Sequence, residues 1–298
     1  MAETPIGAPW WPSRYGAGDQ RGAANLMTPE RALAAARLIA SGRVYQLGRP
    51  YERAMPNFPH RSFHYSIPAA PDAEGENCRV GREDFFAGTL GQVGTQLDGL
   101  GHVGCRLERG DTFYNGVTAQ EMDGPDGLRK LGVDHVGVFF TRGVLVDLPA
   151  AAGVARLRAG TPVDLPLLRR ALDAQRITIA PGDAVMLRTG HGLLWLVDND
   201  AYNAGEPGLD LGAAQWLIER DICLVGADNW GIEVHPPLDP KRPIEVHQWM
   251  ITKNGIYFLE NLDLEALARD RVHEFAFIFA PLRLKGATGS PGNPIAVR

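Results

Sequence analysis

Residues 92–102 read Gln-Val-Gly-Thr-Gln-Leu-Asp-Gly-Leu-Gly-His. Gln92, Gln96, Asp98 and His102 can each bind a metal or move a proton, and they fall at even spacings within eleven residues. On an extended chain, side chains two, four and six positions apart share one face, so this spacing predicts that the four project together. Gly94 lets the backbone bend and approach a ligand closely. Convergent oxygen acceptors beside an imidazole are what a hard metal ion and a general base require. A polar turn between strands would use the same residue types, and Asp98-Gly99 suits an Asx-turn.

Outward from this stretch, helix and strand signals alternate. Thr28-Pro29-Glu30 supplies a capping hydroxyl, a proline at the first helical position and an acid in the first turn, so a helix is predicted from there to Gly42. Further helices are predicted after Asp164, over 211–220 and from Asp263. Runs rich in β-branched and aromatic residues predict strands at 136–140, 144–148, 184–187, 222–225, 256–259 and 275–279. Interleaved strands and helices argue for an α/β fold. The chain shows no internal repeat, low-complexity tract or linker. Two long irregular segments, 55–84 and 228–243, read as binding loops or lids, or as arms holding a neighbouring subunit.

The motif resembles that of the cyclase family of metal-dependent hydrolases, which includes bacterial kynurenine formamidase and isatin hydrolase. That family's pattern is His-x-Gly-Thr-His-x-Asp-x-Pro-x-His. Gly94, Thr95, Asp98 and His102 keep it, whereas Gln92, Gln96 and Leu100 replace two histidines and the proline. The likeness continues through residues 10–28, Val185-Met-Leu-Arg-Thr-Gly190, Val225-Gly-Ala-Asp228, Leu259-Glu-Asn-Leu262 and Lys285-Gly-Ala-Thr-Gly-Ser290, landmarks of a longer-chain branch. The resemblance implies a three-layer β/β/α architecture of the swivelling-domain, cyclase-like kind, with strands curled into a partly closed, barrel-like core. It implies a single domain over 1–298, with an N-terminal extension over residues 1–45 or so. It also implies a homodimer or homotetramer.

By the same resemblance, His247 and Glu260 complete a metal position with Asp98, their spacing one residue longer than in shorter members. His102 is the expected general base, since a neutral imidazole can take a proton from water at working pH. Asp98 brings the charge that neither glutamine can. Three roles stay open for Gln92 and Gln96: metal ligands through amide oxygen, hydrogen-bonders to substrate at a half-site without metal, or purely structural groups. Amide oxygens favour harder ions than imidazoles do, so Mn is the compromise if both coordinate, while Asp98, His247 and Glu260 alone would suit Zn or Mn. Phe58, Phe63 and Trp230 are candidates for a hydrophobic substrate wall. The activity implied is metal-dependent hydrolysis of an amide or ester bond in a small cyclic or aromatic metabolite. The rivals are a ligand-binding relative without turnover, and a lyase or isomerase using the same base.

Composition narrows the partners. The 298 residues are 45% hydrophobic and 22% charged, as in ordinary globular proteins, and a net charge of -5 provides no basic field for nucleic acid. Cys78, Cys105 and Cys223 lack Cys-x-x-Cys spacing and read as reduced thiols. Neither a signal peptide nor a membrane-length apolar run is evident, so a cytoplasmic location and a small-molecule substrate are expected. Gly99-Leu-Gly-His-Val-Gly104 satisfies the dinucleotide pattern. The residues before it are polar, however, and Gly110 soon interrupts the stretch after it, so a chance match is expected.

Overall fold

A computed structural model describes residues 3–69 and 73–298, so residues 70–72 of the irregular 55–84 segment lie outside the described residues. Four strands, Phe139–Asp147, Ala184–Arg188, Leu224–Ala227 and Tyr257–Glu260, run parallel and adjacent at the centre of the main sheet. Leu224–Ala227 and Tyr257–Glu260 are buried at every position, as strands covered on both faces require. Beyond Phe139–Asp147 the sheet continues antiparallel through Glu274–Phe279, Ile295–Val297 and Val44–Gln46. Beyond Tyr257–Glu260 it continues antiparallel through Gln96–Asp98 to Gly289–Pro291. The nine strands curl into a half-barrel within a mixed α/β fold.

Local chemistry sets the helices. Thr28, Asp164 and Asp210 each accept a hydrogen bond from a backbone N–H in the first turn of the helices Pro29–Ala36, Leu165–Gln175 and Leu211–Ile218. Leu165–Gln175 buries Leu167, Leu168, Ala171 and Leu172 in the main core beside Ala213, Ala214 and Leu217 of its neighbour. Pro29–Ala36 uses Ala35 against a separate cluster of Phe140, Ala276 and Ile278. This helix ends six residues before Gly42, and Ile39 beyond its end is exposed. The last helix is Glu265–Arg269. Among the described residues no helix is long and apolar enough to cross a membrane.

The expected strands at 136–140 and 144–148 are corrected. Residues Val133–His135 form a 3-10 turn, Gly137 takes φ +85°, and one nine-residue strand runs over Phe139–Asp147. Gly143 lies within this strand, where a Cβ would collide with the Phe275 ring on the neighbouring strand. The N-terminal segment lies against the far side of the site region. Trp10 Nε1 donates to Phe113 O at 2.8 Å, Ala23 N to Gly255 O at 2.8 Å and Tyr257 Oη to Arg21 O at 2.8 Å. Gly22, at φ +49°, brings its backbone against Gly255 with no room for a side chain.

Candidate metal centre

Two bends and a register bring the motif together, correcting the single extended run. Gln92 ends a short 3-10 turn, Leu90–Gln92, and only Gln96–Asp98 is strand. Between them Gly94 has φ +62°, and a Cβ there would stand 2.7 Å from the Tyr51 ring. After Asp98 the chain turns back, His102 N donating to Gly99 O at 3.1 Å. Across the antiparallel pair Glu260 stands opposite Gln96 and Phe258 opposite Asp98. Directly opposed side chains lie on one face of a sheet, so Gln96, Asp98 and Glu260 meet although far apart in sequence.

His247 enters from the short helical turn Glu245–His247, which continues into a π-helical stretch, Gln248–Lys253. That stretch is tied to the end of the motif by Gln248 Nε2 donating to Gly104 O at 3.1 Å and Thr252 Oγ1 to Val103 O at 2.8 Å. Glu233 fixes the imidazole. Its carboxylate accepts from the backbone N–H of Val246 (3.2 Å) and His247 (3.0 Å), and its Oε1 also binds ring Nδ1. Nε2 is left facing Glu260 Oε1 at 3.6 Å. A carboxylate on one ring nitrogen with the other turned to a site is the arrangement that orients metal-binding histidines.

Asp98, His247 and Glu260 each offer one ligand atom, and these atoms all lie within 4.8 Å of one another in a buried setting. Asp98 Oδ2 and Gln96 Oε1 are buried without any hydrogen-bond partner. Burial, then the charge of Asp98, pushes the Glu260 carboxyl up to about 8. Burial opposes a charged His247, but hydrogen bonds and charge from Glu233 and Glu260 outweigh it and raise the ring to about 10. The cluster thus gathers two carboxylates and one imidazole in a buried setting. A divalent cation fits this donor set and would engage the orphaned Asp98 oxygen.

The glutamines turn their N–H groups toward the carboxylates. Gln96 Nε2 donates to Glu260 Oε2 at 2.8 Å and to Gln92 Oε1 at 3.4 Å. Gln92 Nε2 donates to Asp98 Oδ1 at 3.3 Å and lies 3.3 Å from His102 Nδ1. Of the four amide heteroatoms, only Gln96 Oε1 is left unpartnered. His102 Nε2 sits 3.6 Å from Asp98 Oδ2. Desolvation lowers the pKa of His102 against the opposing pull of Asp98.

Gln92, Asp98, His102, His247 and Glu260 form one end of a cavity of about 420 Å³, also lined by Phe58, Arg61, Glu206, Trp230 and His235. Phe58 and Trp230 meet edge to face at 5.1 Å. Phe63 does not reach this cavity. It packs on Tyr51 and Phe86 and lines a separate, more apolar groove of about 630 Å³. Residues 55–84 are less irregular than expected, since Phe63–Ser66 pairs with Phe85–Gly88 as a hairpin. The segment 228–243 does wall the cavity, and with it come two acids that sequence reasoning did not single out: Glu233 within it, and Glu206, bridged to it through His235. The signal for Glu233 was an acid inside a segment already read as a binding loop. Glycines 99–104 lead into the hairpin Cys105–Leu107 and Gly110–Thr112 rather than a helix, so the dinucleotide pattern is a chance match.

The Cyclase family model matches residues 45–234. A solved structure described as a novel cyclase is 33% identical, with TM-score 0.87 and 97% of each chain covered. Isatin hydrolase A from Ralstonia solanacearum is 23% identical, with TM-score 0.62, covering 91% of this chain and 98% of its own. A protein described as a "predicted metal-dependent hydrolase" from Bacillus stearothermophilus is 19% identical, with TM-score 0.54, covering 86% of this chain and 98% of its own. No curated protein matches.

Proposed function

This chain belongs to the Cyclase family, and from that membership we propose that it is a metal-dependent hydrolase opening an amide or ester bond, lactam- or lactone-like, in a small cyclic or aromatic molecule. The observation that carries the reading is the buried trio of Asp98, His247 and Glu260, with ligand atoms within 4.8 Å, beside His102 in a cavity partly walled by aromatic rings. The names of the structural neighbours, isatin hydrolase and metal-dependent hydrolase, support it.

The trio would hold one divalent ion, Mn or Zn, since two carboxylates and an imidazole suit either. Gln92 and Gln96 serve the carboxylates as hydrogen-bond donors. When bound, such an ion supplies Lewis-acid polarisation of a carbonyl and a water of lowered pKa. The rest is the chain's own work. His102, kept neutral by desolvation, takes a proton from water and returns it to the leaving nitrogen or oxygen. The Gln92 amide nitrogen lies 3.3 Å from His102 Nδ1 and so bears on which ring nitrogen carries the proton. Phe58 and Trp230 orient a flat ring and exclude water. A cavity of about 420 Å³ suits a small molecule. We propose a homodimer or homotetramer as the assembly, which light scattering tests.

One observation favours a second reading, ligand binding without turnover: the amides of Gln92 and Gln96 already donate to Asp98 and Glu260. Metal analysis of protein purified without chelator separates the two readings. The hydrolase reading expects one ion per chain, and ring opening of isatin or a simple aromatic lactone that is lost on stripping and restored by Mn or Zn. Metal-free protein with no affinity for either ion would overturn it.

A further inference from the structure

Glu206 is wholly buried and lies outside the Asp98, His247 and Glu260 trio. Its backbone is clamped to His235 by reciprocal hydrogen bonds of 2.9 and 3.0 Å. Its Oε2 accepts from Trp230 N at 2.7 Å, whereas its Oε1 is buried with no partner. The carboxyl lines the same cavity as the trio. A Cβ on Gly231 would stand 2.7 Å from Oε1, so the bare glycine is what lets the carboxyl occupy this place. Beside it the Trp230 side chain is pinned by its Nε1 donating to Tyr202 O at 3.0 Å, and Phe58 meets that ring edge on. An acid thus stands at the foot of an aromatic wall with one oxygen unspent.

An ionised carboxylate with a single N–H donor, buried near Glu260 and Glu233, would be heavily destabilised. Burial first, then the charge of Glu260, accordingly pushes this carboxyl well above the usual carboxylate range. The proton then sits on the unpartnered oxygen.

We infer that Glu206 is a substrate-contacting residue, a neutral carboxylic acid that donates a hydrogen bond through Oε1 to an acceptor atom of the ligand. The ligand class is a small planar ring carrying a second acceptor, such as a further carbonyl, apart from the bond to be opened. This rests on the proposed reading that the cavity takes a small cyclic substrate. A neutral donor here also selects against a cationic group at that end of the ring, because Oε1 then has no charge to offer it.

Two measurements decide it. In infrared difference spectra at neutral pH, metal-loaded wild type minus Glu206→Gln should show the carbonyl stretch of a protonated carboxylic acid, shifting in D₂O because the group faces the cavity. A wild type without that band overturns the inference even if the protein hydrolyses isatin; its presence supports a neutral Glu206 even in a protein that hydrolyses nothing. In binding, isatin and oxindole differ by one ring carbonyl. Metal-loaded wild type should prefer isatin by roughly tenfold or more, Glu206→Gln should keep most of that preference through its N–H₂, and Glu206→Leu should lose it. A wild type that discriminates no more than Glu206→Leu overturns the inference. Glu206→Gln, close to isosteric, guards against a fold defect in the leucine variant.

Discussion

Gln96 Nε2 lies 2.8 Å from Glu260 Oε2, across a register that pairs these two residues although 164 positions separate them. On the proposed reading, a donor placed there would steady the carboxylate from outside the metal's coordination. Gln96→Ala should therefore keep a stoichiometry of one ion and weaken its affinity by about 10–100-fold, the usual consequence of losing a group that orients a ligand. Gln96→His supplies a lone pair instead of an amide and should shift preference from Mn toward Zn. Chelator competition checks both. Complete loss of metal in the alanine variant would make Gln96 a ligand.

Glu233 holds His247 through three hydrogen bonds and does not itself join the trio. Glu233→Ala should lower metal affinity by about 10–100-fold, while Glu233→Gln, which can still accept from Nδ1–H through its amide oxygen, should recover most of it. Titration with Mn while following ligand-dependent thermal stabilisation measures the difference. Equal affinity in all three proteins would show that the ring is oriented by packing alone, for which the edge contact with Phe258 at 4.7 Å is the candidate.

The parts of this fold that were legible in the sequence are those where local chemistry and burial agree. The caps at Thr28 and Asp164 and the apolar strands near 184, 256 and 275 appear where their side chains demand. The three-residue strands Gln96–Asp98, Gly289–Pro291 and Ile295–Val297 are too short to carry a period, and only pairing defines them. Asp98, His247 and Glu260 were placed together by family resemblance, not by spacing, and they do converge here. What the sequence could not disclose is orientation. Nothing in Gln92 or Gln96 announces which end of the amide faces a carboxylate, and Glu206 becomes visible only once its burial and its bare neighbour Gly231 are known.

His102 should behave as a base that stays neutral below the ordinary imidazole range, because desolvation lowers its pKa. The acid limb of kcat/KM should accordingly fall below pH 6.5, the ordinary value for histidine. His102→Ala should lower turnover by roughly a hundred- to ten-thousand-fold and leave bound metal unchanged. Loss of metal in that variant would make His102 a ligand and return the base to another group.

Stripping the metal should make stability fall as pH rises, and two groups set the sign. Glu260 titrates at about 8 in the folded chain against an ordinary value of 4.5, so the folded state keeps a proton that the unfolded chain releases. Its contribution is full below 4.5 and is lost as pH rises through about 8. His247, raised to about 10 from 6.5, contributes in the same direction, its stabilisation full below 6.5 and lost through about 10. The two face each other at 3.6 Å and titrate as a pair. Binding an ion reverses the trend, since its ligands must shed their protons. The rise in Tm on adding Mn or Zn should thus be larger at about pH 8 than at about pH 5, with roughly 2.7 kcal/mol gained at a hundredfold excess over Kd. Asp98→Ala should abolish that rise and the activity together while keeping much of the metal-free pH slope. Calorimetric scans of both proteins across this range check it. A metal-free wild type that grows more stable toward alkaline pH would show that the carboxylates of this cluster are already ionised and balanced without a cation.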